Sequence, residues 1–181
     1  SLPQLLYAIG DQAVNLDLDL KRKRYEPQKT IVDIGSGTDG LWARKLKQEN
    51  PEAQVIATET NIGGNLRLLK MNLAGSGVEI IDGWENVPNN IADVTWVVAP
   101  NPRLRTKAGR AGLTATKYGG EFHMIVPQIE IECESEMRLW ALQISPSHSW
   151  DIQSTKIFWL GIPPTVYYRA TDKVWHITTT R

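Results

Sequence analysis

Residues 30–61 constrain the fold of this chain more than any other segment. The short β-branched run at 30–34 predicts a buried strand. A glycine-rich stretch, 35–40, follows directly, and glycines let a backbone turn sharply and approach a ligand closely. A helix and then a second strand ending at Glu59 complete a β-α-β unit. Its loop can bind a nucleotide, and its terminal carboxylate can accept hydrogen bonds from a ribose.

Two ligand classes compete for this loop. Gly35, Gly37 and Gly40, with Glu59 about 20 positions on, match the pattern of dinucleotide-binding folds. Asp33 argues against a dinucleotide, because a negative pyrophosphate favours an apolar residue at the end of the buried strand. A carboxylate there favours a ligand with a positive group. A nicotinamide-dependent reductase and a glycine-rich turn that binds nothing stay as alternatives.

The segment Asp33-x-Gly35-x-Gly37 resembles the first motif of class I methyltransferases, and Glu59 resembles their ribose-binding acid. The resemblance implies S-adenosylmethionine as cofactor. The chain departs from the family at Asp39, where members often carry glycine, and this predicts a displaced loop or a weaker affinity. The residues expected to bind the cofactor at this end are Asp33, Gly35, Ser36, Gly37 and Glu59.

A third predicted strand, 78–81, leads into Asp82 and Trp84. In class I methyltransferases the loop after this strand often supplies an acid to the adenine amino group and an apolar wall beside the ring. The resemblance therefore implies Asp82 as the acid and Trp84 as the wall. Ordinary packing is the alternative for Trp84.

A fourth predicted strand, 92–99, ends in Pro100-Asn101-Pro102. Ligands of open α/β sheets lie beyond the carboxyl ends of the strands. The tripeptide is similar to the fourth motif of methyltransferases that act on nucleobases or amides. Asn101 is thus the candidate catalytic residue, as an orienting group, with the Pro100 carbonyl beside it. The alternative is a proline-rich turn that ends a strand.

Four basic residues follow within eight positions, 103–110. The arrangement is similar to the tRNA guanine-N7 methyltransferases, where Pro-Asp-Pro-Trp leads into a basic stretch, although Asn101 replaces the acid and Arg103 the aromatic. Together with the basic run at 21–24, it predicts RNA as a partner through phosphate contacts. A solvated basic helix is the alternative. The predicted substrate-binding residues are Pro100, Arg103, Arg105 and Lys107.

The order of elements supports a Rossmann-like class I methyltransferase fold, an α/β architecture with a seven-stranded, mostly parallel sheet flanked by helices. We expect a fifth strand at 121–126 and a helix at 129–144, whose acidic residues solvate the surface. The last two strands are expected at 150–160 and 173–180. Residues 1–29, with an apolar helical face at 3–14, form a helical and linker segment on a domain at 30–181.

Composition narrows the functional classes. The 181 residues suit one domain, and 20 basic and 20 acidic residues leave no overall polyanion-binding signature. One cysteine excludes an intrachain disulfide, and the three histidines lack metal spacing, so no metal is expected. His123 and His176 are interpreted as interior residues. No membrane-spanning run or secretory signal is visible, which favours the cytoplasm.

The predicted function is a S-adenosylmethionine-dependent methyltransferase that acts on nucleic acid, RNA or tRNA. A small-molecule methyltransferase is the first alternative. The second is a methyltransferase-fold module that has lost catalysis and serves in binding or assembly. The start at Ser1 rather than Met fits a domain of a longer protein, with a protein partner.

Overall fold

The computed structural model describes residues 29–156 and 173–181. Seven strands form one sheet in the order β3-β2-β1-β4-β5-β7-β6. The first five run parallel, and β7 lies antiparallel between β5 and β6. The strands are β1 (Thr30–Ile34), β2 (Gln54–Glu59), β3 (Glu79–Asp82), β4 (Ala92–Val98), β5 (Thr116–Pro127), β6 (Asp151–Lys156) and β7 (Lys173–Thr180).

Within residues 29–156 and 173–181, four α-helices and three short 3-10 helices lie between these strands. The α-helices are α1 (Leu41–Glu49), α2 (Asn65–Leu73), α3 (Arg105–Ala115) and α4 (Glu134–Ile144). The 3-10 helices are Ile62–Gly64, Trp84–Asn86 and Pro102–Leu104. The sequence therefore predicted the succession of the seven strands correctly over the described ranges, whereas α3 was only the alternative interpretation of the basic stretch at 103–110 and the 3-10 helices were not predicted.

Two boundaries differ from the prediction by five residues, and the bounds of β3 and β4 differ by one. Helix α4 begins at Glu134 instead of residue 129, because Cys133 has an extended backbone and Ile131 is buried in the core ahead of the helix. Strand β5 begins at Thr116 instead of 121, because Thr116 pairs with Ala92 beside an irregularity in the β4–β5 register. The predicted helical face at 3–14, the basic run at 21–24 and the end of the strand predicted at 150–160 lie outside the described residues.

The sheet separates two layers of core. Helices α3 and α4 pack on one face, against side chains such as Val32, Ile34, Val97 and Met124. Helices α1 and α2 pack on the other, against side chains such as Ile31, Val55, Val94 and Trp96. Side chains of a strand alternate between its faces, so Asp33 shares the face of Ile31. A carboxylate is thereby placed inside the α1/α2 side of the core.

No helix within 29–156 or 173–181 is both long and apolar enough to cross a membrane. The cytoplasmic location stays a prediction.

Candidate cofactor and substrate site

The carboxyl ends of the parallel strands bring the predicted site residues to one edge of the sheet. Strand β1 lies between β2 and β4, so the loop 35–40 after β1 is central on this edge. Glu59 and Asp82, which end β2 and β3, are register partners. Ligands of open α/β sheets bind at such an edge. The structure thus places the two predicted acids side by side next to the glycine-rich loop.

The loop after β1 is fixed onto the end of β2 by three successive N–H groups. Gly35 N–H donates to Thr58 Oγ1 (3.0 Å), and Ser36 N–H donates to the Thr58 carbonyl (2.7 Å). Gly37 N–H donates to Glu59 Oε2 (2.9 Å). Gly35 and Gly37 have φ of 68° and 74°, values that favour glycine. Thr58 is thus a site residue that the sequence analysis missed.

The end of the loop is fixed by α2. Asn72 Nδ2 donates to the Thr38 carbonyl at 2.6 Å. Gly40 has φ +60°, and a Cβ there would lie 2.7 Å from Leu69 and 2.8 Å from Leu73. Any larger residue at position 40 would have to displace these leucine side chains, so glycine favours this close contact between the start of α1 and α2. Contacts with β2 and with α2 therefore fix the two ends of the loop.

Asp39, the departure from the family pattern, is buried at the start of α1. Its Oδ1 accepts a hydrogen bond from Leu41 N–H at 3.3 Å. A carboxylate at a helix N-terminus stabilises the unpaired N–H groups and the positive end of the helix dipole. Asp39 thus has a local structural role.

Asp33 lies under the loop and is 1% exposed. Its two carboxylate oxygens have no hydrogen-bond partner within the described ranges. Ser36 Oγ donates to the main-chain carbonyl of Asp33 at 3.1 Å. Burial raises the pKa of Asp33 to about 7; the Ser36 hydroxyl opposes this rise, while the carboxylates of Glu59 and Asp39 add to it. The site therefore contains one uncompensated buried acid.

Trp84 stands beside the beginning of the loop. A Cβ placed on Gly35 would lie 3.9 Å from Trp84 Cζ3, and the half-buried indole also packs against the core. Asp82 is exposed, and its carbonyl accepts from Asn86 Nδ2 at 2.6 Å. Gly83 N–H donates to the Glu59 carbonyl at 2.9 Å, which draws this segment towards β2. Trp84 thus lies next to the loop and also fills space in the core.

Asn101 lies on the segment after β4 and is exposed. Its Oδ1 accepts from Arg103 N–H at 3.0 Å and caps the 3-10 helix Pro102–Leu104. Ala99, just before it, has φ +47°, a conformation that is costly for a residue with a Cβ. Such backbone strain is common at functional segments. Pro100 is half-buried between these two residues.

The basic residues after β4 separate into two kinds. Arg103 and Lys107 are exposed, as a surface contact requires. Arg105 is 2% exposed: its Nη2 lies 2.7 Å from Glu130 Oε2, and its guanidinium lies 4.6 Å from the centroid of a Trp140 ring. This placement differs from the surface phosphate contact that we expected, because Glu130 and Trp140 enclose the guanidinium.

The two predicted interior histidines lie in the sheet, as expected. His123 Nδ1 is 3.1 Å from His176 Nε2, and the His123 ring stacks on Trp96 at 4.3 Å. Burial and the neighbouring His123 lower the pKa of His176 to about 3. Among the described residues, no group of three or more His, Cys, Asp or Glu side chains is arranged to bind a metal ion.

Solved structures with the same fold are class I methyltransferases. The precorrin-6y C5,15-methyltransferase of Geobacter metallireducens is 12% identical with a TM-score of 0.61, covering 98% of this chain and 87% of that one. The 16S rRNA (adenine(1408)-N(1))-methyltransferase of Catenulisporales acidiphilia is 14% identical with a TM-score of 0.62. The match covers 98% of this chain and 92% of that one. TYW2 of M. jannaschii, in complex with AdoMet, is 16% identical with a TM-score of 0.57, covering 85% and 69%.

The chain therefore has the Rossmann-like class I methyltransferase fold, as the sequence predicted. The similar structures include an RNA methyltransferase and a precorrin methyltransferase, so the likeness defines a fold and not a substrate. No protein-family model and no curated protein sequence matches the chain. The finer resemblance to tRNA guanine-N7 methyltransferases stays a prediction.

Proposed function

We propose that this chain is a S-adenosylmethionine-dependent methyltransferase. The observation that carries the proposal is the loop 35–40, whose first three N–H groups are bonded to the end of β2 above the buried, unpartnered carboxylate of Asp33. A fixed loop beside an uncompensated acid fits a ligand that has both a nucleoside and a positive group. The fold supports the same assignment.

The residues at this edge fit the cofactor. Asp33 would bind the ammonium group, Glu59 the ribose hydroxyls, Asp82 the adenine amino group and Trp84 one face of the adenine ring. When bound, the cofactor supplies a methyl group activated by a sulfonium sulfur. The chain's own contribution is to fix the reacting groups in line and to exclude water. Asn101 would orient the acceptor atom.

Calorimetric titration with S-adenosylmethionine and S-adenosylhomocysteine, with NAD as the control ligand, tests the cofactor assignment. We expect micromolar binding of the first two and none of NAD. Glu59→Ala should weaken binding at least tenfold, because it removes the ribose acceptor and the partner of Gly37 N–H. Glu52→Ala, an exposed acid in the turn before β2, is the matched control. NAD binding in preference to both methyl cofactors would contradict the proposal and favour a reductase.

RNA is the acceptor that we propose, through Arg103 and Lys107 beside Asn101. Both cations are exposed at the edge where the acceptor must approach the cofactor. The test is transfer of radioactive methyl from S-adenosylmethionine to total tRNA. Arg103→Ala with Lys107→Ala should weaken tRNA binding and reduce its salt dependence, since fewer counterions are released. Lys70→Ala, an exposed cation on α2, is the control.

A small-molecule acceptor is the first alternative, and the range of substrates among enzymes of this fold is the reason to retain it. Transfer to a small molecule but not to tRNA would favour it.

The other candidate is a non-catalytic binding or assembly module with a protein partner. Asp39 favours the module, because it adds a second buried acid where family members often carry glycine. Absence of cofactor binding would select it.

A further inference from the structure

Three carboxylates surround the loop 35–40, and they differ in what stabilises them. Glu59 Oε2 accepts from Gly37 N–H at 2.9 Å, and Asp39 Oδ1 accepts from Leu41 N–H at 3.3 Å. The two carboxylate oxygens of Asp33 have no hydrogen-bond partner among the described residues, and the Ser36 hydroxyl only partly opposes the effect of burial on this group. Donors to a carboxylate favour its ionised form. Two of these carboxylates thus have a backbone N–H donor, and that of Asp33 has none.

The surroundings of Asp33 oppose its ionisation further. The residue lies in the central strand β1, between its register partners Ala57 on β2 and Trp96 on β4, and it is 1% exposed. The charged groups that act on it are Glu59 and Asp39, both acids. A buried carboxyl near two like charges keeps its proton to a higher pH than a carboxyl in water.

We infer that Asp33 carries a proton in the empty site and loses it when a ligand with an ammonium group binds. The O–H bond of the carboxylic acid breaks, the proton passes to solvent, and the carboxylate forms an ion pair with the ammonium. No electron transfer takes place. The inference rests on the proposed function and adds to it that the site exchanges a proton for the cationic end of the cofactor.

This exchange distinguishes two kinds of ligand. S-adenosylhomocysteine carries the ammonium group, whereas 5′-methylthioadenosine has the same nucleoside without the amino-acid part. Because the pKa of Asp33 is about 7 in the empty site, its proton must be removed at neutral and lower pH before the ion pair forms. The affinity for S-adenosylhomocysteine should therefore rise about tenfold from about pH 6 to 8. The affinity for 5′-methylthioadenosine should stay nearly constant.

The decisive experiment is calorimetry at about pH 6.5 in buffers of different ionisation enthalpy, which counts the protons released. We expect S-adenosylhomocysteine to release a substantial part of a proton and 5′-methylthioadenosine none. Asp33→Asn, which is isosteric with the protonated acid, should remove the release. Glu52→Gln, an exposed acid, should leave it unchanged.

The outcomes separate the inference from the proposed function. Binding of S-adenosylhomocysteine without proton release, or with a release that persists in Asp33→Asn, would overturn the inference and leave the cofactor assignment intact. Absence of binding by either nucleoside at any of these pH values would overturn the cofactor assignment. Carboxyl carbon NMR of the empty protein gives an independent result: titration of Asp33 near its ordinary pKa would also refute the inference.

Discussion

Arg105 and Glu130 form an ion pair with 2.7 Å between Nη2 and Oε2, and it joins the segment after β4 to the segment after β5. The Arg105 side chain is 3% exposed and the Glu130 side chain 20%. Both segments lie at the carboxyl edge of the sheet, where we place the acceptor. Arg105 therefore acts in our proposal as a positioning residue for the segment that carries Asn101, and not as a contact to phosphate.

Removal of the Arg105 side chain should destabilise the fold strongly. Arg105→Ala leaves Glu130 partly buried without its cation and removes the stacking on Trp140, so we expect a loss of about 3 kcal/mol. The exposed pair of Arg138 and Glu134, 3.3 Å apart on α4, is the matched control, and Arg138→Ala should cost less than about 1 kcal/mol. Urea unfolding measures both. Equal losses would mean that burial of Arg105 contributes little.

Gly40→Ala should be much more harmful than its backbone angle alone predicts. Its φ is +60°, and a Cβ would lie 2.7 Å from Leu69. Gly63 also has φ +60° but has nothing within 4 Å of a Cβ. Gly63→Ala should therefore cost about 1 kcal/mol from the left-handed backbone alone. We expect at least about 2 kcal/mol more for Gly40→Ala from overpacking, together with weaker cofactor binding. Similar losses in thermal unfolding would exclude the close contact of α1 with α2.

Thr58→Val should reduce the affinity for the cofactor more than it reduces the stability of the fold. The hydroxyl accepts from Gly35 N–H at 3.0 Å, so valine leaves that donor unpaired, with a loss of about 1–2 kcal/mol. Calorimetry should show at least tenfold weaker binding of S-adenosylhomocysteine. Thr95→Val is the control, because Thr95 Oγ1 accepts from Thr116 Oγ1 at 2.9 Å away from the loop. It should lower stability with little effect on affinity.

Asp33 and Asp93 lie on adjacent strands, and we expect their contributions to the stability of the fold to depend on pH in opposite directions. Burial raises the pKa of Asp33 to about 7. Between about pH 4 and pH 7 the folded state therefore binds more protons than the unfolded chain. The contribution of Asp33 to the free energy of unfolding is present below this pH range and is lost as the pH rises through it. Asp33→Asn, which stays neutral, should thus gain stability relative to wild type as pH rises to about 8, on the order of 2–4 kcal/mol.

Asp93 is the control, because its pKa is shifted in the opposite direction from that of Asp33. Burial would raise its pKa, but hydrogen bonds from Thr30 N–H and Lys117, with the charge of Lys117, lower it overall. The contribution of Asp93 to the free energy of unfolding is present above the ordinary pKa of aspartate. It is lost as the pH falls through the lowered pKa of Asp93. Asp93→Asn should therefore be less stable than wild type at neutral pH, and the deficit should shrink in acid. Parallel pH profiles of the two variants, from urea unfolding, would contradict the assignment.

The features that sequence predicted are those that local chemistry determines. A β-branched run, a glycine-rich turn and an acid at the end of a second strand identify the β1–loop–β2 unit without knowledge of the rest of the chain. Strand β7 has the predicted bounds because most of its residues are β-branched or aromatic, which favours a strand. The succession of elements predicted a seven-stranded, mostly parallel sheet, whereas the spatial order of its strands is known from the structure alone.

The features that sequence missed depend on contacts between distant segments. Glu130 was interpreted as a solvating surface acid, because nothing local shows that Arg105, 25 positions earlier, faces it across two strand ends. Thr58 is an ordinary strand residue until β1 and β2 pair in parallel and its hydroxyl lies beside Gly35 N–H. An acid shortly before a helix, next to arginines that follow the neighbouring parallel strand, is a signal that pairing rules for parallel sheets would detect.

The loop 35–40 is bonded to Thr58 and Glu59 at one end and to Asn72 at the other. Folding itself therefore restricts the conformational entropy of this loop, and a ligand meets a surface that is already in its final shape. Binding to such a preorganised surface needs little rearrangement. Association rates should then vary little among cofactor analogues, and their differences in affinity should lie in how long each remains bound.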